Sequence, residues 1–295
     1  MIYAATAEGL IGLEGDGSTD FKGKTVNALW GNPPLLAVVD GHEVWTRPKG
    51  GDWEQSVRVT DHRVNCALPV NGLVYLGTSD AHLLRVEGGN AIVVDEFETM
   101  AGRDDWFTPW GGPPDVRSLA SDSVGVVYAN VHVGGIARSK DGGRTWAPTI
   151  DIYSDVHEVT AADGAVLAAC ARGLAVSRDE GETWKFHAEN LHATYARAVG
   201  RAGNSILMTA CVGPHGGRAA VYRRDLDGHG AFEKCEQGLP EWFGDNIDTG
   251  CLATLGRKTA FGTSDGEVYV SVDAGGSWRR AASGLPPIRW LALDD

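Results

Sequence analysis

The chain of 295 residues has no apolar run approaching the 18 residues that a membrane-spanning helix needs. Nothing in it is expected to cross a bilayer. Cysteine is scarce: Cys66, Cys170, Cys211, Cys235 and Cys251 are scattered, odd in number and never spaced as a CxxC pair. That pattern argues against a disulfide framework and reads as buried, reduced thiols in a cytoplasmic protein. Basic residues are in deficit, 26 Lys and Arg against 39 Asp and Glu, for a formal charge of −13. An acidic surface repels phosphodiester backbones and anionic headgroups, so neither nucleic acid nor membrane is an expected partner. The opening residues, Met1-Ile2-Tyr3-Ala4-Ala5-Thr6, lack the basic segment and apolar stretch of a signal peptide, and no leader is expected. Neither HxH nor HExxH occurs, so any metal would need ligands from separate segments.

Glycine is abundant. The chain has 40 Gly and 12 Pro, a density that disfavours long helices and fits short strands joined by tight turns. Apolar residues make up 43% of the chain, enough for a real core.

A short motif recurs. Ser139–Trp146 reads SKDGGRTW, Ser177–Trp184 reads SRDEGETW and Ser271–Trp278 reads SVDAGGSW. The shared Ser, Asp, Gly, Ser/Thr and Trp describe a hairpin turn. Its Asp can accept backbone N–H groups, its Gly permits positive φ and its Trp packs beneath. Degenerate copies lie at 44–53 and 221–228. The motif resembles the Asp-box (BNR) repeat of sialidases and related propellers. The resemblance implies a structural motif away from the ligand face, so these Asp residues are not catalytic candidates.

Two further strand patterns precede each copy. One is an apolar strand ending in small residues, at 3–6, 36–39, 74–77, 127–130, 166–169, 206–209 and 260–263. The other lies upstream, at 26–29, 64–67, 116–119, 156–159, 196–199, 249–252 and 288–291. Its mean spacing of about 44 residues matches a four-stranded propeller blade. The reading is an all-β, seven-bladed propeller in one domain, residues 1–295. A C-terminal strand over 288–293 pairs with the N-terminal strand 1–6 and closes the ring, which removes exposed strand edges.

The second position of each upstream strand is polar in six repeats: Asn27, Asn65, Arg117, His157, Arg197 and Arg289, with Gly250 in the remaining one. At equal depth these should ring the mouth of a central channel. A guanidinium group needs a counter-charge, and its fork fits a carboxylate or phosphate. The ring is therefore either an anion pocket or a set of arginines paired with Glu158, Asp115, Asp248 or Asp265. Six of the nine histidines also fall near this face: His62 and His157 at strand starts, and His42, His82, His132 and His215 after second strands. They are candidates for proton transfer, or for holding a divalent metal between blades. No cofactor is otherwise required. Two long insertions, 102–115 and 238–246, each carry an acid-Trp-Phe triplet. Trp106 and Trp242 are thus candidates for a lid, a stacking platform or a plug over a blade seam.

Likeness to sialidases implies that Arg117, Arg197 and Arg289 hold a substrate carboxylate. The sialidase Arg-Ile-Pro signature is absent and no Tyr–Glu nucleophile pair is assignable. Likeness to seven-bladed Asp-box assembly factors implies an arginine patch that docks a partner. The functional expectation is a soluble propeller binding a small anionic molecule or an acidic protein segment. The alternative is a lyase or hydrolase acting on an acidic substrate, in which His157 and Tyr195, on adjacent strands, move the proton.

Overall fold

The second strand of each repeat is almost entirely apolar, and Leu35–Val39 and Ala165–Cys170 are buried at every position. A strand buried on both faces needs a neighbour packed on each side. The computed structural model, which describes residues 1–294 other than Gly15, Asp16, Asn32, Pro33, Asp163 and His229, supplies those neighbours. Its strands form seven four-stranded antiparallel sheets. Six are continuous in sequence, within 26–58, 64–93, 116–148, 156–187, 195–234 and 252–282. The remaining sheet joins Ile2–Thr6, Gly9–Gly12 and Thr19–Asp20 to Trp290–Leu293 from the far end of the chain. We number this sheet blade one, and the others two to seven in sequence order.

The first strands of blades two to seven contact one another in succession, and Trp290–Leu293 contacts both the last and the first of them. That closed cycle is the inner wall of a seven-bladed propeller. Closure places Ile2 opposite Leu293 and Ala5 opposite Trp290. The closing strand begins at Trp290 rather than 288, although the Arg289 N–H already donates to the Ala5 carbonyl at 2.9 Å. The small residues ending the second strands have a packing reason. A Cβ on Gly77 would meet Val116 at 2.4 Å, and one on Gly262 would meet Ile288 at 2.4 Å. In each case the next blade's inner strand occupies the space a side chain would need.

The three motif turns share one hydrogen-bond pattern. The Asp141 carboxylate accepts from Arg144 N, Thr145 N, Thr145 Oγ1 and Ser139 Oγ at 2.7–3.0 Å. Asp179 and Asp273 repeat this with Thr183 and Ser277. The turn glycines Gly143, Gly181 and Gly275 have φ of 87°, 88° and 82°. Trp146 and Trp278 donate Nε1–H to the Gly143 and Gly275 carbonyls at 3.2 Å, whereas Trp184 reaches Thr149 in the preceding blade. All three turns join third to fourth strands. All five cysteines are buried and unpaired. No helix among the described residues is long and apolar enough to cross a membrane.

Candidate functional site at the channel mouth

The polar column is a ring of β-bulges. Pairing between first and second strands slips between Val26 and Ala28, Val64 and Cys66, Val116 and Ser118, Val156 and Glu158, and Ala196 and Val199. The skipped residues include Asn27, Asn65, Arg117, His157 and Arg197. A bulge leaves one residue out of the ladder and re-aims its side chain. In blades seven and one the column residues, Gly250 and Arg289, lie just outside their strands. Gly250 has no room for a side chain, since a Cβ there would meet the Trp290 ring at 2.2 Å.

The ring divides into an open arc and a closed arc. In the open arc, Asn27, Asn65, Arg117 and Arg289, with Asp115, Asp248 and Thr249, line a cavity of about 430 Å³ floored by Cys251, Ile288 and Trp290. Arg289 is exposed. Arg117 is mostly buried, and its Nη1 has no hydrogen-bond partner; Asn27 Oδ1 is likewise unpartnered. Burial, reinforced by the neighbouring Arg197 charge, pushes the Arg117 guanidinium below its usual range, against the pull of Asp248 and Asp115. Burial raises the Asp115 carboxyl, against the pull of Arg117.

In the closed arc the side chains already have partners. Arg197 was expected to serve a ligand, but its Nε lies 3.0 Å from Asp248 Oδ1 and its Nη2 donates to Oδ2 at 3.1 Å. Thr249 reaches across the channel, its Oγ1 donating to the carbonyls of His157 at 3.1 Å and Arg197 at 3.3 Å. Below it, buried Glu158 accepts from Val199 N at 2.8 Å and Gly250 N at 2.9 Å, stitching three blades together. Burial pushes the Glu158 carboxyl up to about 8. His157 is fully buried, its ring 4.6 Å from that of Tyr195. Burial pushes His157 below the usual imidazole value and raises the Tyr195 phenol.

His157 also joins His132 and Asp155 in a triad whose ligand-capable atoms lie within 4.8 Å of one another; His62, Asp80 and His82 form a second such triad within blade three. His215 is exposed, on the loop between second and third strands of blade six. The insertion tryptophans turn inward. Trp106 packs on Phe97 with Arg103 over its ring, and Trp242 lies against His192 with Arg218 and Lys234 over it. Both therefore cover blade seams. The exposed aromatics of the first insertion are Phe107 and Trp110, and Trp110 sits 5.0 Å from the His132 ring.

Asp155 was missed in the sequence, yet a signal for it exists. Asp115, Asp155 and Asp248 each stand two residues before a column position. This brings Asp248 beside Arg197 and Asp155 beside His132 and His157. A larger cavity, about 680 Å³, lies elsewhere, between the outer strands of blades five and six. Two of its arginines are already paired, Arg178 with Asp227 and Arg224 with Glu189.

No family model matches this sequence, and no curated protein matches it. Solved structures do. YCF48 from Cyanidioschyzon merolae is 17% identical, with a TM-score of 0.58 over 88% of this chain and 87% of that one. YCF48 bound to D1 peptide is 17% identical, with a TM-score of 0.57 over 86% and 82%. The GH74 enzyme of Niastella koreensis is 12% identical, with a TM-score of 0.59 over 94% of this chain but 46% of that one, so this chain spans under half its length. At these identities the likeness shows the propeller fold. The fold occurs among these neighbours both in an enzyme and in a peptide-bound protein.

Proposed function

We propose that the open arc binds an anionic ligand by its carboxylate, whether a small organic acid or an acidic peptide segment. The observation that carries this is Arg117, whose side chain lines a cavity shared with Arg289, Asn27 and Asn65 and whose buried Nη1 lacks a hydrogen-bond partner. A buried guanidinium nitrogen without a hydrogen-bond partner is costly, and a carboxylate drawn to this guanidinium relieves part of that cost. Around the mouth, Arg117, Arg197 and Arg289 face Asp115 and Asp248, which leaves room for about one added negative charge. The solved neighbour holding a D1 peptide supports a binding role for the fold. The five buried, unpaired thiols support a reducing, cytoplasmic setting.

A lyase or hydrolase using His157 and Tyr195 is the weaker reading. His157 is fully buried and its Nδ1 is committed to the Ala196 carbonyl. A base that takes a substrate proton must come within hydrogen-bond reach of it.

The test is isothermal titration with succinate, glucuronate, inorganic phosphate and an oligoglutamate peptide. Carboxylates should bind to wild type, and Arg289→Ala and Arg117→Met should each weaken them at least tenfold. Equal affinity in wild type and in a folded Arg289→Ala variant would remove the proposal.

A further inference from the structure

The Nδ1 of His157 lies 2.6 Å from the carbonyl oxygen of Ala196. A carbonyl only accepts, so Nδ1 carries the proton. In a neutral imidazole that leaves Nε2 a bare lone pair. This lone pair faces the Asp155 carboxylate, with Nε2 3.6 Å from Oδ1, too far for a hydrogen bond. The same Oδ1 lies 3.3 Å from Nε2 of His132, on the neighbouring blade. Neither His157 Nε2 nor Asp155 Oδ1 has a hydrogen-bond partner, and the His157 ring is wholly buried. The His157 Nε2 lone pair and the Asp155 carboxylate are thus two acceptors facing each other with no hydrogen bond between them, an arrangement that a cation among them would relieve.

We infer that His132, Asp155 and His157 form a binding site for a divalent transition metal, at the seam of blades four and five. The spacing fits. Ligands at about 2.0–2.2 Å from a tetrahedral zinc ion stand about 3.3 Å apart along each edge. The observed 3.3 and 3.6 Å separations are close to that edge. The donor set of two imidazoles and one carboxylate suits zinc and its first-row neighbours rather than magnesium or calcium, which favour oxygen. The Ala196 carbonyl plays the part usual behind a metal-binding histidine, fixing tautomer and ring orientation. Three protein ligands leave a coordination position for water or an exogenous group, and Asp155 is the partly exposed member of the set. Tyr195 separates this site from the arginines, touching both the His157 ring and Arg197. The inference does not depend on the anion reading.

The test uses the apo chain, prepared with chelator and titrated with Zn²⁺ by calorimetry and with Co²⁺ by visible absorption. Wild type should bind one equivalent tightly, and cobalt should give the intense bands of a four- or five-coordinate site. Asp155→Asn and His132→Asn, both at the less buried ligands, should weaken zinc at least a hundredfold and abolish the bands. His62→Asn should leave both unchanged. The inference fails if wild type and Asp155→Asn bind zinc alike, or if the tight equivalent follows His62 instead. A far-ultraviolet spectrum and melting curve of each variant separate loss of ligand from loss of fold. Equal carboxylate affinity in wild type and Arg289→Ala, with zinc binding intact, would sink the anion proposal alone.

Discussion

The molecule builds a His-Asp-His triad twice, and the two differ in how the charges and protons are accommodated. In His62, Asp80 and His82, each imidazole has a close carboxylate of its own, with Asp80 also 3.9 Å from His82 Nε2. His62 Nδ1 lies 3.0 Å from Asp80, while His82 Nδ1 lies 2.9 Å from Glu98, which Arg103 also contacts. All these side chains keep between 17% and 39% exposure. In His132, Asp155 and His157, one carboxylate serves two imidazoles, and one of those is sealed from solvent. The same three residue types thus make a partly exposed ion-pair network in one place and a largely buried cluster sharing one carboxylate in the other. The difference arises from register. The first triad lies within blade three, on a strand start and the following loop, whereas the second is assembled across a seam by a bulge.

The sharpest way to break this comparison is to truncate the histidines. His157→Ala should destabilise the fold by about 2–4 kcal/mol, because it opens a cavity beneath Tyr195 and strands the Ala196 carbonyl. His62→Ala should cost under about 1 kcal/mol, as expected for a partly exposed ion pair. Urea unfolding of the two variants side by side measures this, and equal costs would mean that the burial contrast is unimportant. A smaller effect is expected at the acids. Asp155 has a left-handed backbone, φ 49°. Asn tolerates that conformation, so Asp155→Asn should stay near wild type in stability without metal. Asp155→Ala should lose about 1–2 kcal/mol. If Asn and Ala behave alike there, the backbone contributes nothing to holding the second triad.

The architecture could be read from the chain because propeller blades repeat. Gly77 and Gly262 lie at the last two positions of their strands, where the inner segment of the next blade passes, and that periodic smallness shows in one dimension. The column Asn27, Asn65, Arg117, His157, Arg197, Arg289 was visible for the same reason. What the residues do was legible only in part. Arg197 and Arg117 occupy equivalent bulges, yet one has Asp248 across a seam and the other has an unpartnered nitrogen. That distinction depends on which acid the neighbouring blade presents, a contact spanning 51 residues. Trp106 and Trp242 show the same limit. An acid-Trp-Phe triplet reads identically whether its indole faces water or folds over a seam, and here it is Trp110 that stays outside.

The smallest expected effect concerns pH at the more exposed triad, His62, Asp80 and His82. Burial alone would raise the Asp80 carboxyl, but hydrogen bonds from Thr78 and His62, together with the nearby imidazoles, outweigh it and set the carboxyl below its ordinary value. A carboxyl depressed in the folded state binds fewer protons there than in the unfolded chain. Its contribution is therefore fully present above the unfolded value of about 3.9 and is lost as pH falls through the lower folded value. The stability difference between wild type and Asp80→Asn should accordingly stay flat as pH falls from 5 to about 4 and shrink below that. Its size should remain under about 1 kcal/mol, because the pair is screened by solvent. Urea midpoints at pH 5, 4 and 3 would show it. A difference that grows on acidification would mean that Asp80 is protonated more readily in the folded state. The first triad would then resemble the second in burying its carboxylate at a cost, and the contrast between them would collapse.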